Sequence, residues 1–136
     1  MASFKTTAFI FIYVFNLFAF ATAYLNEAAP PFTILTPKSG QSVKRGSNVT
    51  VTWRIEPYTR WPIYGYAAAK SARTIAGLLD INARGTDPYV REVDHNVPLT
   101  EGNYSWVVGD DVMPGEYRFG LGFYRHEASP IFTVVE

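Results

Sequence analysis

The stretch Val49-Thr-Val-Thr-Trp-Arg-Ile55 decides the fold. Val49, Val51, Trp53 and Ile55 alternate with Thr50, Thr52 and Arg54, so one side is apolar and the other polar. Side chains of an extended chain point to opposite faces with a period of two, and this pattern is that of a half-buried antiparallel strand. Outward from it, Phe32-Thr-Ile-Leu-Thr36 reads as a short strand closed by Pro37 and the turn residues Lys38-Ser-Gly40, and Gly46 marks a second turn. Downstream, residues 89–94, 103–108, 116–124 and 130–135 read as further strands. In the third of these, Tyr117, Phe119, Leu121 and Phe123 share a face, while Gly120 and Gly122 fall opposite, where they predict a close backbone approach or a bulge. Tyr117, just after Pro114-Gly115, fits a tyrosine corner at the start of a late strand. Alternation places Trp53 and Trp106 in the core.

The stretch 57–84 is ambiguous. Ala67-Ala-Ala-Lys-Ser-Ala72 has helical propensity, and Ile75, Leu78, Leu79 and Asn82 fit a helical face. Ile75, Gly77, Leu79 and Ile81 fit a strand equally well. The reading adopted is a strand over residues 74–83, preceded by a loop with at most one helical turn. Short strands separated by Gly/Pro turns give an all-β chain, an Ig-like antiparallel β-sandwich of about seven strands over residues 32–136, with residues 24–31 as a short lead.

The N-terminus, MASFKTTAFIFIYVFNLFAFATA, has Lys5, an apolar run over residues 8–20 broken only by Asn16, and the small-residue site Ala21-Thr22-Ala23. This is the pattern of a cleaved secretory signal peptide over residues 1–23; the run is shorter than the about 20 apolar residues a membrane span takes. The expected product is secreted, extracellular or wall-associated, and free of a membrane anchor. Asn48-Val-Thr50 and Asn103-Tyr-Ser105 then become N-glycosylation sites at Asn48 and Asn103.

Composition narrows the function. The chain has 12 Lys plus Arg against 12 Asp plus Glu, and no cysteine. Charge balance argues against nucleic acid as partner, and the cysteine count removes disulfides, thiol nucleophiles and zinc–thiolate sites. Fifteen aromatic residues remain after residue 23, enough apolar surface for a cysteine-free core. His95 and His126 sit beside Asp94 and Glu127 in turns and read as solvent-exposed loop histidines. Asp110-Asp111 reads as turn chemistry rather than a glycosidase acid pair, because such pairs stand about 5–9.5 Å apart across a cleft. A copper oxygenase would present an N-terminal histidine, whereas cleavage after Ala23 exposes Tyr24. The expectation is no catalytic residue, no metal and no cofactor.

An ordered set of motifs resembles the Ig-like domain of the yeast cell-wall synthesis Kre/Knh type. It comprises residues 32–40, Val43-Lys-Arg-Gly-Ser-Asn-Val-Thr-Val-Thr-Trp53, an Asn96-Val-Pro98 turn, Tyr104-Ser-Trp106, Asp110-Asp111, Pro114-Gly115, Tyr117 and Ser129-Pro-Ile-Phe-Thr133. The resemblance covers residues 32–135. It implies an extracellular, non-catalytic module of fungal-type surface and wall proteins, commonly followed by a Ser/Thr-rich, lipid-anchored tail. This sequence departs from that pattern in lacking the tail and in carrying Tyr58-Thr-Arg-Trp-Pro-Ile-Tyr-Gly-Tyr66 where the family has a shorter polar turn.

That insertion holds the candidate binding residues: Tyr58, Arg60, Trp61, Tyr64 and Tyr66. Aromatic rings stack on the C–H faces of sugars, and Arg and Tyr bond sugar hydroxyls. The structural alternative is that the rings plug the core or cover a sheet edge. The expected partner is wall polysaccharide or an extracellular protein. Two readings stand beside the wall module: a secreted interaction protein or effector that binds a protein partner, and, last, a secreted carbohydrate-active enzyme.

Overall fold

A computed structural model describes residues 29–136. The signal-peptide reading and most of the lead lie outside the described residues. Nine strands follow in order: β1 (Phe32–Thr36), β2 (Ser42–Lys44), β3 (Asn48–Ile55), β4 (Arg73–Leu79), β5 (Arg91–Pro98), β6 (Asn103–Val107), β7 (Gly115–Leu121), β8 (Glu127–Ala128) and β9 (Phe132–Val135). A short 3-10 turn, Leu99–Glu101, joins β5 to β6. The strands form two sheets, one in the order β1-β3-β6 and one in the order β2-β9-β7-β4-β5 with β8 paired to β7. All pairings are antiparallel except β2 with β9. The chain is thus the expected all-β sandwich. It has nine described strands rather than about seven, because Ser42–Lys44 and Glu127–Ala128 each pair over only two or three residues.

The alternation in β3 is realised. Val49, Val51 and Trp53 are buried between the sheets, and the Trp53 indole N–H donates to the Leu99 carbonyl at 2.7 Å. Trp106 packs against Phe119 and Phe132 with ring centroids 5.4 and 6.1 Å away. Both tryptophans therefore tie the smaller sheet to the larger through a shared apolar layer, where each fully buried large side chain contributes about 1.5–3 kcal/mol. Tyr104 closes the open side of the sandwich, since its hydroxyl on β6 donates to Asp94 on β5 at 2.9 Å. Burial pushes the phenol's pKa up to about 12, helped by the Asp94 carboxylate. Tyr117 forms the tyrosine corner: its hydroxyl donates back to the Met113 carbonyl at 2.6 Å.

Two expectations about boundaries change. Asn96-Val-Pro98 is not a turn but the end of β5, which runs through two irregularities in its pairing with β4 before the chain turns at Leu99. Val97 is fully buried there, and that anchors the strand end. The predicted strand over 74–83 starts one residue earlier and stops at Leu79, because the Asp80 carboxylate accepts the Asn82 N–H and turns the chain. Residues 57–72 contain no helix; they form successive turns, with the Ala72 N–H donating to the Ala68 carbonyl and the Ala68 N–H to the Arg73 carbonyl.

The outer faces of the sandwich differ. On the three-stranded sheet the outer face carries Asn48, Thr50, Thr52, Asn103 and Ser105. On the larger sheet it is covered. Ala76 and Leu78 of β4 face the core, and Leu79, on the other side, is also buried. A strand buried on both faces explains why its sequence has no clear period. The cover is the segment 80–90. Tyr89 lies across Gly77 and its cross-strand partner Gly120, so close that a Cβ at either would stand 2.5 or 2.9 Å from the ring. The Tyr89 hydroxyl donates to the carbonyls of Gly122 at 2.8 Å and Ile75 at 3.2 Å. Burial raises its pKa above the ordinary tyrosine value.

Candidate functional site

Of the five residues singled out in the aromatic segment, the structure keeps four on the surface. Tyr64 is 81% exposed, Tyr58 56% and Trp61 42%, and Arg60 is exposed. Tyr66 departs from the expectation. Its ring meets Phe32 edge-on at 5.7 Å, it packs against the core, and its hydroxyl donates to Glu127 Oε1 at 2.9 Å. Turning inward follows from position, since the Tyr66 carbonyl accepts the Thr74 hydroxyl at the start of β4. Both readings of the segment therefore hold in different places: Tyr66 fills the core boundary, and Tyr58, Trp61 and Tyr64 project.

The projecting part is held by its backbone. The Tyr58 hydroxyl donates to the Pro30 carbonyl at 2.7 Å, and the Thr59 hydroxyl to the Pro31 carbonyl at 2.5 Å, which fastens the start of the segment to the entry of β1. At the other end the Gly65 carbonyl accepts the N–H groups of both Tyr124 and Arg125, at 2.9 and 3.0 Å. Gly65 has φ +87°, and a Cβ there would stand 3.3 Å from the Arg125 side chain. Glycine thus allows the 57–72 segment to dock on the loop that follows β7. The docking joins the segment to the chain at Tyr124, a residue that is 83% exposed and that the sequence reading does not single out. Tyr124 continues the apparent strand pattern of residues 116–124, and only one residue signals that it leaves the sheet. The sign is the glycine before the loop: Gly122 has φ +148°, and a Cβ there would fall within 1.7 Å of the Arg125 carbonyl oxygen.

A cleft of about 550 Å³ opens beside this junction, on the outer face of the larger sheet. Arg118 of β7, Arg84 of the 80–90 segment and Arg125 of the loop after β7 line it, together with His126, Glu127 and Thr86. Its size falls within the range of small-ligand sites, about 300–1,000 Å³. Arg118 Nε is buried and has no hydrogen-bond partner. A buried unsatisfied donor costs about 1–3 kcal/mol, so the fold holds this guanidinium in place against a penalty.

His126 corrects the sequence reading. It is only 7% exposed, with Nε2 at 2.8 Å from the Asp87 carbonyl and Nδ1 at 3.3 Å from the Gly122 carbonyl. Its ring meets the Tyr89 ring at 4.3 Å in a tilted contact, and its backbone N–H donates to the Gly85 carbonyl at 2.7 Å. The residue is a brace between the two loops that border the cleft. A histidine beside Glu127 in a turn reads as exposed in sequence; Asp87, on the second loop that covers His126, is 39 positions away and invisible there. His95 is exposed, with Nε2 2.8 Å from Glu92. Asp111 pairs with Arg91 at 2.6 Å, and the Asp110 carbonyl accepts Arg45 at 2.8 Å, so the acid pair fastens loops. Among the described residues no three His, Asp or Glu side chains gather as a metal site.

Asn48 and Asn103 are both exposed on the outer face of the three-stranded sheet. Their sequon hydroxyls, Thr50 and Ser105, are direct cross-strand partners, and Ser105 donates to the Asn48 side-chain oxygen at 2.6 Å. This face lies on the side of the sandwich opposite the cleft. No family model matches the sequence, and no curated protein matches it.

Proposed function

We propose that this protein is a secreted, non-catalytic β-sandwich module that binds glycan, with the wall or surface of a fungal-type cell as its setting. The wall assignment rests on the resemblance of residues 32–135 to the Kre/Knh-type domain and on the signal-peptide pattern of residues 1–23. The observation that supports glycan contact is the exposure of Tyr58, Trp61, Tyr64 and Tyr124 on two loops that are joined through the Gly65 carbonyl. Exposed rings on a rigid frame are the arrangement that stacks on sugar faces at small entropic cost. Tyr58, Arg60 and Trp61 extend the contact surface along the same segment. Tyr66 supports the segment from below and is not part of the contact.

The test is sedimentation of the purified protein with insoluble β-1,3/1,6-glucan, chitin and whole walls, alongside Tyr64→Ala, Tyr124→Ala and Trp61→Ala. Retention that falls in these variants at unchanged thermal midpoint supports the reading. Retention on no polysaccharide removes it. A protein partner is the second reading, favoured by one observation: β6 pairs only with β3 among the described strands and exposes Val107, an edge to which a partner strand can add.

A further inference from the structure

The cleft next to the junction of Gly65 and Arg125 is basic. Arg45 pairs with Glu136, Arg54 with Glu56 and Arg91 with Asp111, and Arg73 donates to the Asn96 carbonyl. Arg84, Arg118 and Arg125 make no salt bridge among the described residues, yet they line one cleft. They come from three separate segments, so their convergence is a product of the fold and not of a run of like charge. Gathering like charges costs energy, more so where water is partly excluded. The one carboxylate lining the cleft, Glu127, accepts the Tyr66 hydroxyl. Asp87, at the edge of the 80–90 segment, uses its carboxylate to accept the Arg84 N–H at 2.8 Å and close a turn. Three guanidinium groups against one lining carboxylate leave net positive charge.

Guanidinium groups present planar forks of donors that match carboxylate and phosphoryl oxygens, and Arg118 brings a buried N–H without an acceptor. We propose that this cleft binds an oxyanion carried by a saccharide, a uronate carboxylate or a sugar phosphate, with the rest of the saccharide running toward the exposed Tyr124, the chain neighbour of Arg125. The proposal rests on the glycan-binding reading and narrows its ligand to acidic glycans. Arg118 holds the anion from the sheet, and Arg84 and Arg125 close on it from the two loops. His126 and Tyr89 hold those two loops together by their ring contact.

The experiment is calorimetric titration of the protein, expressed as the full chain and purified from the secreting host, with three probes: trigalacturonate, mannose 6-phosphate and a neutral glucose trimer. Arg84→Gln, Arg125→Gln and their double variant are compared, since both side chains are exposed and their loss leaves the fold intact. The expected result is binding of an acidic probe about tenfold or more tighter than the neutral trimer, weakened about five- to tenfold by each single substitution. Affinity should also drop between about 20 mM and about 500 mM salt, as screening requires. Preference between trigalacturonate and mannose 6-phosphate identifies the source of the anion. Equal affinity for neutral and acidic probes, or acidic binding that survives the double variant, overturns the proposal while leaving the glycan reading in place. Binding of no saccharide in either this titration or the polysaccharide sedimentation overturns both.

Discussion

Tyr89 and His126 meet ring to ring at a centroid separation of 4.3 Å, their planes tilted by 42°, and through this pair the segment after β4 is fastened to the loop after β7. The contact works because Gly77 and Gly120, paired across β4 and β7, leave a flat place on the sheet for the Tyr89 ring. Gly77→Ala or Gly120→Ala is expected to lift the ring and destabilise the fold by about 1–3 kcal/mol, the usual range for forcing atoms into a packed site. Urea unfolding of each variant checks this. Tyr89→Phe keeps the ring and loses only the hydroxyl bonds to Gly122 and Ile75, so its cost should be smaller, about 1 kcal/mol.

The tyrosine corner gives a second expectation. Tyr117→Phe removes the 2.6 Å bond to the Met113 carbonyl while leaving the ring in place. The loss should be about 0.5–1.5 kcal/mol at equilibrium, measured by chemical denaturation.

Stability should fall on the alkaline side. Tyr104 and Tyr89 both have pKa values raised in the folded state, first by burial. An unfolded chain therefore ionises these phenols first, near pH 10, and the folded state loses its advantage as pH rises through about 12. Thermal midpoints should decline above pH 10, with a shallower decline in Tyr104→Phe. A decline of the same steepness in that variant would count against the Tyr104 contribution. On the acid side Glu56 acts in the opposite sense. The Thr33 hydroxyl, at 2.7 Å, and the Arg54 guanidinium hold its carboxyl below the ordinary value. That contribution is present above pH 4.5 and lost as pH falls further.

Tyr66 and Tyr64 are two positions apart and should respond oppositely. Tyr66→Ala removes a ring packed on Phe32 and the bond to Glu127, and is expected to cost about 3 kcal/mol in stability. Tyr64→Ala removes an exposed ring and should leave stability within about 0.5 kcal/mol of the parent while reducing glycan retention. Paired melting and sedimentation measurements separate the two roles.

Much of the sandwich was legible in the chain because a two-residue period survives wherever a strand has one wet face. Residues 49–55 show it, and the burial of Val49, Val51 and Trp53 follows directly. Gly120 and Gly122 also marked a close approach correctly, since a missing side chain is itself a local signal. The period fails in β4, where Ala76 and Leu78 face one layer and Leu79 another, so helix and strand fit the sequence equally well.

The candidate site was legible only in part. Tyr58, Trp61 and Tyr64 stand out as a run of aromatics, but nothing local separates them from Tyr66. Sequence by itself determined the alternation of β3, the turns at Gly40 and Gly46, the two sequons and the aromatic segment, because each depends on neighbours along the chain. Tertiary structure alone decided that Tyr66 turns inward, that Tyr124 stands exposed on the loop docked at Gly65, that His126 is buried and that Arg84, Arg118 and Arg125 share a cleft. Those facts depend on loops from distant positions meeting at the Gly65 carbonyl and under the Tyr89 ring, and proximity of that kind is written in the packing of the sheets rather than in any stretch of residues.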